Sequence, residues 1–169
     1  VVGFLVLSML LGSGHKDQLK HVLTHRKLRE PGAQFVYSTG DAHVVGTLAK
    51  RALTAKHGPT AFWTQLFEPI GMKRVVFEED PAGNPLGGSY VYATPRDFAK
   101  FGYLYLRDGV WDGRRVLPEG WVDYARTPGT GTNSDGYGAG WWLNPQEGTG
   151  RPRRVLMDTG GRDGFSAQG

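Results

Sequence analysis

The sequence predicts a mixed α/β (α+β) fold in which a helical part is followed by the start of a sheet. Two helices carry strong start signals. Ser-Thr-Gly-Asp at residues 38–41 is typical of a capping box, and Thr94 is followed by Pro95 and Asp97, which suit the first and third helical positions. Strand-like stretches come late, in GYGAGWWLN and RRVLMDTGG, around a glycine-rich loop. This order favours a helical subdomain docked on a sheet that the 169 residues only begin.

Apolar spacing, helix caps and helix breakers place the individual elements. The apolar opening, residues 1–12, predicts a buried helix or strand. Helices are predicted over residues 17–28, 38–57, 60–69, 94–108 and 118–127, and a strand over RVVFEED at residues 74–80. The second helix has an apolar face that includes Val45 and Leu48. The fourth has a broad aromatic face, which we expect to be buried against the helix that starts near Ser38.

Composition argues against several classes of function. Lys and Arg number 20 against 16 Asp and Glu, which gives a net charge of +4, and the basic residues are scattered rather than gathered into a nucleic-acid-binding stripe. The absence of cysteine excludes disulfides, thiolate zinc sites and cysteine nucleophiles. The five histidines lack a metal-binding motif, and we expect solvated surface side chains at His15, His21, His25, His43 and His57.

The two ends of the chain suggest part of a longer protein. The sequence opens at Val1 and stops at Gly169 in the middle of a pattern, so we expect a fragment. The opening stretch VVGFLVLSMLLG is too short to span a bilayer. It also lacks the basic segment and the small-residue cleavage site of a secretory signal. We therefore predict no membrane-spanning segment in this fragment.

Tyr37 stands one residue before the helix cap at Ser38 and permits two interpretations. Its ring can act as a hydrophobic staple that packs on the first helical turn. Alternatively, its phenol can exchange a proton. An unperturbed phenol titrates near pH 10, but the positive end of a helix and a nearby ammonium group both stabilise the phenolate. A tyrosine in such a place can accept the proton of a serine hydroxyl.

Several stretches occur in an order that resembles one family. They are PGAQFVYSTGDAHVVGTL, LFEPIGMKRVVFEED, GGSYVYATPRDFAKFGYLYLRDGVWDGRRVLPEGWV, YGAGWWLN and DTGGRDGF. The set resembles the serine beta-lactamase-related hydrolases: class C beta-lactamases, DD-peptidases, family VIII esterases and 6-aminohexanoate-dimer hydrolases. The resemblance extends from about Met9 to the end. It implies a beta-lactamase/transpeptidase-like fold, mostly the helical subdomain plus the start of the C-terminal antiparallel sheet, with residues 1–169 as one partial domain.

The resemblance also implies roles for individual residues. The family uses a Ser-x-x-Lys pair, a tyrosine in a Tyr-x-Asn-like motif, and a Lys-Thr-Gly-like triplet beside the acyl pocket. Tyr37 matches the tyrosine, which implies a general base for the serine, and Thr39 stands where the asparagine often lies. Asp158 replaces the usual Lys or His of the triplet, so neutral esters or amides are expected rather than substrates that carry a carboxylate. Substrate contacts are implied at Thr39, Tyr90, Asp158, Thr159, Gly160 and Gly161.

Two further residue sets have a structural interpretation. Ser13 and Lys16 fit Ser-x-x-Lys, but they lie much closer to Tyr37 than the family's nucleophile does, and the helix that follows is amphipathic rather than buried. We therefore expect the nucleophile to lie upstream of residue 1. Trp141 and Trp142 are expected to be core residues, and Tyr90 is a core residue if it does not contact the substrate.

The resulting expectation is a serine hydrolase that acts through an acyl-enzyme on a small-molecule ester or amide, with this fragment inactive alone. The alternative is a non-catalytic, beta-lactamase-like binding or regulatory protein, which the missing cation at Asp158 would suit. We expect no cofactor, no metal and no nucleic-acid partner. The resemblance favours a periplasmic or secreted location and leaves a cytoplasmic one open.

Overall fold

The computed structural model of the chain describes residues 2–131, 136–143 and 165–166. The helices are α1 (Val2–Leu10), α2 (Gln18–Leu23), α3 (Thr39–His57), α4 (Pro95–Leu106) and α5 (Trp121–Arg126). The strands are β1 (Val75–Phe77), β2 (Val91–Ala93), β3 (Val110–Trp111), β4 (Arg114–Arg115), β5 (Trp142–Leu143) and β6 (Phe165–Ser166). Helices dominate the chain up to α5, and the β5–β6 pair comes last, which confirms the predicted mixed fold.

The two best-marked helices begin at their predicted caps. The Ser38 hydroxyl accepts a hydrogen bond from the backbone N–H of Asp41 at 3.2 Å, at the start of α3. The Thr94 hydroxyl accepts one from the backbone N–H of Asp97 at 3.1 Å, and Pro95 occupies the first turn of α4. These bonds satisfy backbone donors that a helix start leaves without a partner. The capping signals therefore fixed the starts of both helices correctly.

Three helical segments differ from the sequence expectation. The α2 helix covers only six residues, from the Asp17 cap to Leu23, rather than residues 17–28. Residues 63–67 form one wide π-helical turn instead of a longer regular helix. The α5 helix begins at Trp121, because Gly120 adopts the left-handed conformation with φ of 76° immediately before it. Apolar spacing does not detect such endings, because they depend on backbone dihedrals and contacts outside the segment.

The strands form three antiparallel pairs: β1 with β2, β3 with β4, and β5 with β6. In the β1–β2 pair Val76 lies opposite Tyr92, and in the β5–β6 pair Trp142 lies opposite Ser166. The β1–β2 pair is joined by a loop at residues 78–90. This loop packs against the first turns of α3, where Gly87 and Gly88 lie close to Ala42 and Thr39. Within the described ranges, none of the helices combines the length and apolar composition that crossing a bilayer would require.

The α4 helix is the centre of the described core. Leu104 is fully buried against Phe67, Ile70 and Met72. On the next position Tyr105 packs with a second cluster, formed by Val122, Ala125 and Trp141. Neither cluster includes a residue of α3, so the expectation that α4 packs on that helix is wrong. The buried face of α4 instead packs against α5, against the segment that contains Trp141 and against the π-helical turn.

The buried stripe of α3 also differs from the expected one. Val45 and Leu48, assigned to the apolar face, are 65% and 59% exposed. Buried instead are Gly40, His43 and Thr47, which follow one another at helical spacing. This stripe faces α2, where Val22 lies against Gly40. Because Gly40 has no side chain, α2 can approach α3 closely there, which apolarity alone does not predict.

His43 is therefore only 1% exposed, and the expectation of a solvated side chain is wrong for it. Neither ring nitrogen has a hydrogen-bond partner among the described residues. Burial lowers the pKa of the His43 imidazole below its ordinary value, although the backbone of Pro85 and the charge of Asp80 oppose the shift. At neutral pH the uncharged form of the imidazole is therefore favoured.

The Asp80 carboxylate joins the chain before α3 to the loop after β1. It accepts the backbone N–H of Gln18 at 2.8 Å and that of Asn84 at 2.9 Å. Burial raises the pKa of Asp80, but the hydrogen bonds from Asn84 and from the backbone outweigh burial, and the pKa is lower than usual. This network fixes the loop that continues to Gly87 and Gly88 beside the candidate site.

Candidate active site

Tyr37 lines a cavity of about 520 Å³. Its side chain is 50% exposed, and it precedes the Ser38 cap of the 19-residue helix α3. The N-terminal end of a helix carries a partial positive charge, which stabilises an anion placed beside its first turn. The Tyr37 side chain is therefore accessible from the cavity, and its backbone lies next to the positive end of α3.

The walls of this cavity are uncharged in the part of the chain that the structure describes. They come from the segment before α3, from one face of α3, and from four more distant stretches of chain. The lining residues are Phe35, Val36, Tyr37, Ser38, Thr39, Ala42, Val45, Gly46, Ala49, Phe62, Phe77, Gly87, Gly88, Tyr137, Gly140 and Trp142. No Lys, Arg, His, Asp or Glu occurs among them. Such a surface suits apolar, neutral groups better than a carboxylate, which would lose its hydration without gaining a cation.

Gly87 and Gly88 bring one wall of the cavity into direct contact with α3. A Cβ atom at Gly87 would lie 2.6 Å from the carbonyl oxygen of Ala42, and one at Gly88 would lie 2.6 Å from Cγ2 of Thr39. Real Cβ atoms do not come that close, so only glycine lets the loop backbone pass over the first turns of the helix. The Gly-Gly pair thus positions the loop beside Tyr37 and Thr39.

An aromatic cluster surrounds the Tyr37 ring. Tyr37 stacks on Trp142, with centroids 5.3 Å apart and planes 27° apart, and meets Tyr137 edge to face at 5.7 Å and 82°. Tyr137 also stacks on Phe35 at 5.0 Å. Trp141 is buried as expected, whereas Trp142 is only half-buried and lines the cavity. The expectation that both tryptophans are core residues is therefore wrong for Trp142.

Tyr137 was not singled out from the sequence, although it stands in the stretch GYGAGWWLN that carries part of the family resemblance. That stretch was the available signal, but it does not show which ring faces Tyr37. Burial raises the pKa of the Tyr137 phenol above its ordinary value, and the nearby Tyr37 phenol raises it further. Tyr137 therefore stays protonated in the pH range where most enzymes work.

The remaining predicted site residues are not all brought together. Thr39 lines the cavity beside Tyr37. Tyr90 is half-buried, does not belong to the described lining, and has an unusual positive φ of 66°. Its contact with a substrate stays a prediction. The predicted contacts in the triplet region lie outside the described residues: Asp158, Thr159, Gly160 and Gly161.

Ser13 lies apart from this cavity. It is exposed in the turn between α1 and α2, and it is absent from the lining residues. Lys16 is exposed in the same turn. Metal ligands are likewise lacking in the described ranges, which contain no group of three or more His, Asp or Glu side chains able to hold an ion.

Comparison with known proteins places the chain in a family. The Beta-lactamase family model matches residues 8–169. None of the curated proteins compared with the chain matches it. Among solved structures, it is similar to a Bacillus anthracis protein provisionally described as a 6-aminohexanoate-dimer hydrolase, with a TM-score of 0.64 and 22% identity over 76% of this chain. It is also similar to a provisionally described beta-lactamase from Bacteroides dorei DSM 17855, with a TM-score of 0.57 and 21% identity over 74% of this chain.

At these identities the two structures establish the fold, a helical region with small antiparallel sheets. The matches span 35% and 44% of the length of the two proteins, so the chain corresponds to less than half of each. The family model, in contrast, covers nearly all of the present sequence. The chain belongs to the beta-lactamase family.

Proposed function

We propose that the chain is the tyrosine-bearing part of a serine hydrolase that acts through an acyl-enzyme on a neutral ester or amide. Residues 1–169 would then be a partial domain. One observation carries the proposal: the half-exposed phenol of Tyr37 opens into a cavity of about 520 Å³ beside the start of α3. Membership of the beta-lactamase family supports the same class of reaction.

Tyr37 would act as the general base. A free phenol is a poor proton acceptor at neutral pH as long as its anion is not stabilised. The helix start at Ser38 contributes positive potential, and the lysine of a Ser-x-x-Lys pair would contribute a full charge. The exposed Lys16 does not approach the cavity, so we place that lysine, together with the nucleophilic serine, outside these 169 residues.

Each half of the proposed reaction moves one proton onto Tyr37 and off again. The serine oxygen attacks the substrate carbonyl carbon while its proton passes to the Tyr37 oxygen. The tetrahedral intermediate collapses, the bond to the leaving group breaks, and the leaving alcohol or amine takes that proton from Tyr37. In deacylation the water oxygen attacks the acyl carbon while a water proton passes to Tyr37. The bond between that carbon and the serine oxygen then breaks, Tyr37 returns the proton to the serine oxygen, and the acid leaves.

The acyl part of the substrate would carry no carboxylate group. None of the described lining residues is charged, and the family resemblance implies that Asp158 replaces a Lys or His. A substrate carboxylate would find no charge-assisted partner there, whereas a neutral ester loses nothing. Esters and simple amides are therefore favoured over beta-lactams and D-Ala-D-Ala peptides.

Labelling with a fluorophosphonate probe followed by intact-mass analysis tests the acyl-enzyme directly. We expect one adduct on the full-length protein that carries this chain, and none on residues 1–169 alone. Ser13→Ala in the full-length protein should leave the adduct in place. An adduct on the isolated chain that disappears with Ser13→Ala would overturn the assignment of the nucleophile. No adduct on either form would favour the non-catalytic binding protein.

A further inference from the structure

The Tyr37 ring is held by two other rings of the cavity wall. It stacks on Trp142 at 5.3 Å and meets Tyr137 edge to face at 5.7 Å. Tyr137 and Trp142 in turn meet edge to face, with centroids 4.9 Å apart and planes 87° apart. Each ring thus contacts the other two, and a change of the Tyr37 side-chain rotamer would disrupt its contacts with both neighbours.

The backbone that carries Tyr137 and Trp142 is itself fixed. The two residues form an antiparallel bridge, and the N–H of Gly138 donates to the carbonyl of Trp141 at 2.8 Å. The N–H of Ala139 donates to the carbonyl of Ala125 at the end of α5, at 3.1 Å. A tight turn bonded to a helix that packs in the core is a firm support for the two rings.

The position of a general base controls its rate. A side chain that is 50% exposed samples several rotamers unless its neighbours restrict it. A displacement of about 1 Å from the productive geometry lowers a rate by roughly a hundredfold. Tyr37 therefore needs an orienting partner, and the cap at Ser38 fixes only the backbone next to it.

We propose that Tyr137 and Trp142 are positioning residues that hold the Tyr37 phenol at the cavity in the orientation for proton transfer. This inference rests on the proposed role of Tyr37 as the base. Tyr137 contributes through its ring rather than through its hydroxyl. Its phenol stays protonated because burial and the neighbouring Tyr37 both raise its pKa, so the two tyrosines do not exchange roles.

Steady-state kinetics of p-nitrophenyl butyrate hydrolysis by the full-length protein tests the proposal. Tyr137→Leu and Trp142→Leu should each lower kcat by roughly ten- to a hundredfold with little change in KM. Tyr137→Phe, which keeps the ring, should recover most of the kcat that Tyr137→Leu loses. If Trp142→Leu does not fold, Tyr137→Leu alone tests the proposal, because it removes the other ring that contacts Tyr37.

A double-mutant cycle separates positioning from general support. In a Tyr37→Phe background, Tyr137→Leu and Trp142→Leu should cause no further loss of kcat, because they act through Tyr37. An equal loss in both backgrounds, or no loss in the wild-type background, overturns the positioning role. If Tyr37→Phe alone leaves kcat unchanged, the proposed function fails, and this inference fails with it.

A matched control exists on α4. Tyr103 is also 50% exposed and also meets a tryptophan, Trp111, edge to face at 5.8 Å and 87°. It does not line the cavity. Tyr103→Leu removes a comparable ring contact and should leave kcat unchanged. A loss of kcat as large as that of Tyr137→Leu would show a general effect of ring removal and overturn the proposal.

Discussion

The backbone of Gly87 lies directly against that of Ala42, so that a Cβ atom at Gly87 would be 2.6 Å from the Ala42 carbonyl oxygen. This contact joins the loop between β1 and β2 to the first turns of α3. It lies beside Tyr37 and Thr39 in the wall of the cavity. The shape of the candidate site therefore depends on the absence of a side chain at one position.

Gly87→Ala should displace the loop and lower both stability and hydrolytic activity. The added methyl group meets backbone rather than a flexible side chain, so we expect a cost of about 1–3 kcal/mol in the free energy of unfolding. Gly102→Ala in α4 is the matched control, because a Cβ there meets nothing within 4 Å. It should be neutral or stabilise by about 0.5–1 kcal/mol. Urea unfolding measures both, and equal effects of the two substitutions would contradict the close approach.

The core around α4 gives a second matched pair. Leu104 is 0% exposed and Leu106, two positions on, is 76% exposed. Leu104→Ala should lower the free energy of unfolding by about 2–5 kcal/mol, because it leaves a cavity among Phe67, Ile70 and Met72. Leu106→Ala should change it by less than about 0.5 kcal/mol. Similar costs in chemical denaturation would show that the assigned burial of the helix is incorrect.

His43 should make stability depend on pH. Burial lowers its pKa in the folded protein, whereas in the unfolded chain the imidazole has its ordinary value of 6.5. Around and below pH 6.5 the imidazole of the unfolded chain binds a proton more readily than the buried imidazole of the folded protein does. Protonation therefore favours the unfolded chain, and the free energy of unfolding should fall as the pH drops from about 7.5 to about 5.5. His43→Leu should remove this part of the dependence, and His57→Gln, at an exposed site, should keep it. An identical pH profile for wild type and His43→Leu would refute the assignment.

The sequence predicted the features that depend on neighbouring residues. The caps at Ser38 and Thr94 are fixed by side chains within one helical turn, and both were found where expected. The burial of His43 and the exposure of Val45 were missed, because which face of α3 is covered depends on α2 and the Asp80 loop. Local periodicity identifies an amphipathic helix but not its neighbours.

In the candidate site, too, the sequence predicted the locally determined residues and missed those that only the tertiary fold brings together. Tyr37 and Thr39 could be placed from a short motif, and both line the cavity. Trp142 is more than a hundred residues away along the chain, and only the tertiary fold brings its ring onto Tyr37. Trp141 is buried while the adjacent Trp142 is half-buried and stacks on Tyr37, and this difference follows from the tight turn between Tyr137 and β5. The spacing of residues in the sequence does not predict that turn.

The preference for neutral over carboxylate-bearing substrates should depend on the charge of residue 158. Asp158→Lys in the full-length protein is expected to raise activity on nitrocefin relative to p-nitrophenyl butyrate by roughly tenfold or more, because a cation would then pair with the nitrocefin carboxylate. Asp158→Asn, which removes the negative charge without adding a cation, should give a smaller change in the same direction. The ratio of the two kcat/KM values measures the effect. A wild-type protein that already prefers nitrocefin would contradict the charge argument.

The most direct test of the account is the effect of Tyr37→Phe on kcat/KM for p-nitrophenyl butyrate in the full-length protein, with Tyr103→Phe as the control. Removing the phenolic oxygen removes the proton acceptor but keeps the ring on Trp142. The account predicts a loss of about 10²–10⁴-fold for Tyr37→Phe and none for Tyr103→Phe. A Tyr37→Phe protein that hydrolyses the ester at the wild-type rate would show that Tyr37 is not the base.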